Sequence, residues 1–194
     1  MINALLRLPV NISVPAVRAQ TIGGLLGDID SHMPSGHVYR NNDKVTWAIQ
    51  TVRAIHATIR NRARVACGLY YFADRGLTFP TTGITLCQVA DAVSPRDRGP
   101  AYQSHLIGQK PTWNANALYL LDEAIACMSG AVVGYELGMD TRAKESKMIA
   151  SEMLVYSGVL HEIVKRRGYD EASTLSKLVS VAGDVLNDLP KGGS

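Results

Sequence analysis

Between Asn42 and Arg64 the apolar residues Val45, Ala48, Ile49, Val52, Ile55 and Ile59 recur every three or four positions. That is the period of an α-helix with one buried face; a strand would scatter the same side chains over both of its faces. Asn42 or Asp43 supplies an N-cap. The run Arg60-Asn61-Arg62-Ala63-Arg64 reads as a solvated helix end, where cations complement the dipole.

The C-terminal half carries the same signal more plainly. Asn114 is placed to cap a long helix reaching Leu137, with Gly138 as its stop. Asp140 opens another helix to Arg167, and Asp170 caps a last one through Leu189. Thr85-Leu86-Cys87-Gln88 has the capping-box pattern and opens a short helix ending near Ser94-Pro95. A further helix is expected from Ala101 to Gly108. Leu69-Tyr70-Tyr71-Phe72 and Leu77-Thr78-Phe79 flank Ala73-Asp74-Arg75-Gly76 as a hairpin would, with Pro80 closing the second strand at an edge. Val10–Val14 and Gly36–Tyr39 read as short strands in an irregular N-terminal part. The expected fold class is therefore α+β, mainly helical, with a small β-hairpin sheet and a C-terminal helical bundle. Residues 1–194 form a single domain in this reading: 1–42 irregular, 43–137 the core, 138–189 a helical extension, and 190–194 a linker-like tail.

Composition narrows the function classes. With 46% hydrophobic and 19% charged residues the chain can fill one core. A net charge of +3 from dispersed residues gives no case for nucleic acid. No apolar run approaches the roughly 20 residues that span a bilayer, so no membrane partner is expected. Three cysteines, Cys67, Cys87 and Cys127, are an odd number without CxxC spacing, which favours neither a disulfide framework nor a zinc knuckle. A reduced, cytoplasmic setting is the simplest reading, with a secreted parent as the alternative. The start of the chain lacks both a basic leader and a small-residue cleavage pattern.

The segment Trp47-Ala48-Ile49-Gln50-Thr51-Val52-Arg53-Ala54-Ile55-His56 resembles the active-site helix of zincin metallopeptidases. In their HExxH motif two histidines on one helix face bind zinc, and the intervening glutamate is the general base. The order of strand, helix, hairpin and a second helix carrying Leu121-Asp122-Glu123-Ala124 is similar to the gluzincin group over roughly residues 36–137. The resemblance implies a zincin-like active-site helix. It sets Ile49 and Arg53 at the histidine places, Gln50 at the base, and Glu123 at the third ligand.

The departures matter as much as the likeness. Ile49 has no donor atom, Arg53 is a permanent cation, and Gln50 cannot take a proton from water. The resemblance therefore implies a scaffold without zinc, cofactor or metal-dependent peptidase activity, either a natural pseudoenzyme or an engineered derivative with its site cleared. An Arg53–Glu123 pair in place of the metal follows from the same mapping. So does a cleft between the 43–64 and 114–137 helices, where a small-molecule ligand would sit.

A second reading uses Tyr119, Glu123, Cys127, Gly130 and Gly134, which fall on one helical stripe. Cys127 as nucleophile and His56 as base would suit acyl transfer from small esters; His37, His105 and His161 are unranked alternatives to His56. The same small residues equally let two helices approach, with Cys127 a buried apolar group. A nearby carboxylate also raises a thiol's pKa. Cys67 and Cys87 are weaker candidates, although Cys87 sits in a helix's first turn. His161-Glu162 is no second HExxH, because Lys165 stands where a histidine would be needed. Trp47, Trp113 and Tyr70-Tyr71-Phe72 are core and cleft walls, or else a stacking box. In a third reading the 140–167 and 170–189 helices form an interaction module.

Overall fold

The computed structural model describes residue 29 and residues 43–64, 67–70, 76–79, 81–170 and 172–189. The strands expected at 10–14 and 36–39, the hairpin turn, Pro80, His37 and the tail lie outside them.

Asp43 caps the first long helix, α1 (Lys44–Ala63), by accepting from the backbone N–H groups of Val45 at 3.0 Å and Thr46 at 3.4 Å. Arg142 reaches the same carboxylate at 2.7 Å, so the cap also ties α1 to a distant helix. The helix ends at Arg64 with φ of 54°, the left-handed turn that commonly closes helices.

Two strands follow, β1 (Cys67–Tyr70) and β2 (Gly76–Phe79), paired antiparallel with Cys67 opposite Phe79 and Tyr70 opposite Gly76. Among the described residues this is one ladder of four pairs with no third strand. The α+β expectation is therefore overturned. The architecture is mainly helical, and a β-hairpin sheet is not one of its layers. Two short strands bury too little to organise a core; of these segments Cys67 and Phe79 reach the interior, and helix packs on helix everywhere else.

Helix α2 (Leu86–Ala92) opens with the expected capping box. Thr85 accepts from the Gln88 N–H at 3.2 Å and Gln88 accepts from the Thr85 N–H at 2.9 Å. A π-helical turn over Tyr102–Ile107 closes with the Gly108 N–H donating to the Gln103 carbonyl at 2.9 Å. A single-turn helix, α3, covers Lys110–Trp113.

Asn114 does not cap the next helix. It ends α3 and turns its side chain to α2, accepting from the Cys87 N–H at 3.1 Å while its carbonyl accepts from Leu86 at 3.1 Å. The long helix α4 instead runs Tyr119–Glu136. A cap-forming side chain can serve whichever helix end lies in reach, and the sequence does not say which.

Helix α4 is the axis of the molecule: every residue from Leu120 to Gly134 is buried. Helices α1 and α5 (Asp140–Arg166) lie against it, and α6 (Ala172–Asp188) packs on α5 through Leu175, Leu178, Ala182 and Val185. Close approach is built from small residues. A Cβ on Gly134 would stand 2.8 Å from that of Ala143, and one on Gly130 would stand 2.5 Å from Cγ1 of Ile49. No described helix is long and apolar enough to cross a membrane.

Candidate functional site

Residues 53, 56 and 60 of α1 share one helical face, spaced by three and four. Arg53, His56 and Arg60 therefore project together onto α4, whose first turns carry Asp122 and Glu123 side by side. Both carboxylates are enclosed, with Asp122 at 7% and Glu123 at 3% exposure. Buried carboxylates need partners, because an isolated charge away from water is costly, and this helix face supplies them.

Arg53 meets Glu123 in a two-pronged contact: Nε donates to Oε2 at 2.9 Å and Nη2 donates to Oε1. The flat guanidinium fork matches a carboxylate, which makes such pairs strong and directional. Imidazole Nε2 of His105, from the π-helical turn, stands 3.6 Å from Oε1 of Glu123, and the Cys127 thiol donates to that oxygen at 3.3 Å. Burial alone would push the Glu123 carboxyl up. The His105 and Arg53 hydrogen bonds and charges outweigh it and hold that group down to about 2.

Asp122 takes the other half of the face. Nδ1 of fully buried His56 lies 2.6 Å from Oδ1, and Arg60 donates to Oδ2. Arg60 also lies over the Tyr119 ring at 5.0 Å, and Tyr119 packs against Trp113 at 5.9 Å. Trp113 in turn faces the His105 ring at 6.2 Å. The two carboxylates thus sit inside a belt of cations and aromatic rings drawn from α1, the π turn, α3 and α4.

Of the positions singled out by the zincin resemblance, Arg53 and Glu123 lie in this cluster, and Ile49 lies farther along the same seam. Ile49 packs on Gly130, Arg53 on Glu123, and Gln50 is half-buried on the same helix. The helices meet along this seam through the Ile49 side chain on Gly130 and through the Arg53–Glu123 pair. These residues do not fit zinc: Ile49 and Arg53 offer no lone pair, and Glu123 is already committed. Among the described residues no three His, Cys, Asp or Glu side chains are grouped to hold a metal ion.

Cys127 and His56 are both in the cluster but engage neighbouring carboxylates, Glu123 and Asp122 respectively. The thiol is 2% exposed; burial first, and then the Glu123 charge, push it well above the ordinary thiol range. It is a protonated donor in this setting, not a thiolate. Cys67 is likewise pushed up by burial and donates to the Leu118 carbonyl at 3.8 Å. His161 lies on α5 beside Glu162, 3.4 Å away. Trp47 is 8% exposed in the core.

Arg60 and Asp122 fall outside the expected site, and His105 is one of the unranked alternatives to His56. Arg60, read as part of a solvated run, is only 18% exposed and holds Asp122. The spacing of Arg53, His56 and Arg60 along an otherwise apolar helix face was the available signal. Ser104 adds a hydrogen bond of 2.9 Å between its hydroxyl and Nδ1 of His105, while also donating to the Ala101 carbonyl at 3.3 Å. Comparison of the chain with protein-family models, curated proteins and solved structures finds no match.

Proposed function

We propose that the chain is a metal-hydrolase-like scaffold without a metal centre, resembling a zincin whose zinc is replaced by an ion pair. The Arg53–Glu123 contact carries this reading. The resemblance assigns those two positions, 70 residues apart, to one site, and their side chains form a two-pronged pair. Ile49, at the other histidine place, seals the same seam against Gly130. Arg53 supplies the positive charge that a buried Glu123 requires, so the helix pair stays closed without an ion.

On this reading the domain has a structural or binding role and no peptidase activity. A thiol-dependent esterase is the poorer alternative, because Cys127 is enclosed and holds its proton. Nucleic acid has no place in the reading, since the cations of the belt are paired with carboxylates and the net charge is only +3.

The test is a revertant, Ile49→His, Gln50→Glu and Arg53→His, titrated with zinc beside the parent chain and checked for helicity by circular dichroism. One zinc bound by the revertant, lost again on Glu123→Gln, supports the reading. A folded revertant that binds no zinc would reduce the resemblance to coincidence and leave a helical bundle with an internal charge cluster.

A further inference from the structure

Helix α5 has one face that nothing in the described structure covers. Met153 is fully buried, and at about 100° per residue the direction opposite it is occupied by Met148, Ser151, Val155 and Gly158. Met148 is 45% and Val155 47% exposed, large values for apolar side chains in the middle of a long helix. A Cβ on Gly158 would meet nothing within 4 Å.

The residues of this face pair off about position 153. Met148 lies as far before it as Gly158 lies after it, and Ser151 and Val155 are related in the same way. An antiparallel second copy of α5 therefore sets the longer exposed apolar side chain, Met148, over the glycine and the branched one, Val155, over the serine, on both sides of the axis. Further out, Lys144 is matched with Glu162 and Asp140 with Arg166, all four exposed on the same face. Reversing the helix exchanges the sign of the charge at every one of these positions; a parallel copy would set like against like.

Asp140 and Arg166 are also where the helix dipole favours them. Lys144 and Glu162 stand the opposite way round, so the dipole does not account for them. Glu162 has a neighbour of its own in His161, at 3.4 Å on the same helix, and a lysine from a second copy would compete for or share that carboxylate.

We infer that two copies of this chain associate through α5, antiparallel about a two-fold axis opposite Met153. A self-complementary patch of this kind is what an isologous dimer requires. Helices crossing at about 20° stay in contact over several turns, enough for the 27 residues of α5 to engage along their length. The apolar part is small, so the dimer belongs at the weak end of specific interfaces, with a Kd on the order of micromolar. This inference does not depend on the Arg53–Glu123 site.

Sedimentation velocity of the full chain over a hundredfold concentration range tests it. A reversible monomer–dimer equilibrium is expected. Val155→Asp, which sets two carboxylates near the axis, should weaken it at least tenfold. Lys144→Glu and Glu162→Lys should each weaken it several-fold, and the double exchange should recover most of the loss. All three positions are exposed, and circular dichroism is the check that each of the four variants folds. A chain that stays monomeric, a dimer indifferent to Val155→Asp, or a double exchange that recovers nothing would each overturn the inference.

Discussion

Arg53 and Glu123 meet two-pronged across the α1–α4 seam, one arm nearly half exposed and the other 3% exposed. The asymmetry sets what the pair does. Glu123 cannot turn to water, while Arg53 can, so the carboxylate depends on the guanidinium more than the reverse.

Removing the cation should therefore cost more than removing both partners. Arg53→Met leaves a buried carboxylate with only His105 and the Cys127 thiol beside it and is expected to destabilise by about 3 kcal/mol. Arg53→Met combined with Glu123→Met should recover much of that loss. Urea unfolding of the two single variants and the double variant closes the cycle; equal and additive losses would count against the pairing.

The same carboxylate makes stability depend on acid. Its folded-state value, about 2, lies below the ordinary 4.5. The contribution is thus present above pH 4.5 and is lost as pH falls from there towards 2, by about 3 kcal/mol in total. Glu123→Gln should flatten this part of the stability profile relative to the parent, measured by urea midpoints at intervals between pH 5 and 2.5.

Thiol chemistry separates the cysteines. Cys87 is half-buried in the first turn of α2, while Cys67 and Cys127 are 1% and 2% exposed with raised pKa values. Iodoacetamide at neutral pH should label Cys87 within minutes and the other two only when the chain unfolds. Rapid labelling of Cys127 in the folded protein, read by peptide mass, would reopen an esterase role.

Two glycines of helices should respond in opposite directions to the same change. In Gly134→Ala the new methyl stands 2.8 Å from Cβ and 3.0 Å from Cα of Ala143, so backbone must move. We expect a loss of about 2 kcal/mol. Gly183→Ala meets nothing within 4 Å and should gain about 0.5–1 kcal/mol from helix propensity. Thermal melting of both variants is sufficient.

Helix positions were legible because their signals are local. The periodic apolar residues from Val45 to Ile59, the Asp43 cap, the Thr85 capping box and the left-handed Gly138 each depend on neighbours a few residues away. Asn114 was misread because a capping side chain is a local signal with a non-local choice of helix. The hairpin residues carry strand propensity, yet propensity over four residues says nothing about whether a sheet will form around them.

The charge cluster was half legible. Pairing Arg53 with Glu123 came from a family pattern, and charge alone would not have selected that carboxylate over Asp122. Arg60 looked solvated because three arginines in five residues usually are; burial of the first of them depends on Tyr119 and Asp122, some sixty positions on. His105 required the π turn to aim it at Glu123, and nothing in the residue pattern from Tyr102 to Ile107 marks that wider turn.

The enclosure of α4 bears on how the molecule comes apart. Its amides from Leu120 to Gly134 are shielded by side chains from α1 on one flank and α5 on another. Fraying at the ends of α6 or α2 leaves them covered. Solvent deuterium can reach the middle of α4 only when a whole neighbouring helix lifts away, which also severs the Glu123 and Asp122 contacts. The slowest-exchanging protons of the chain should then mark this helix, and their exchange should report global opening of the fold.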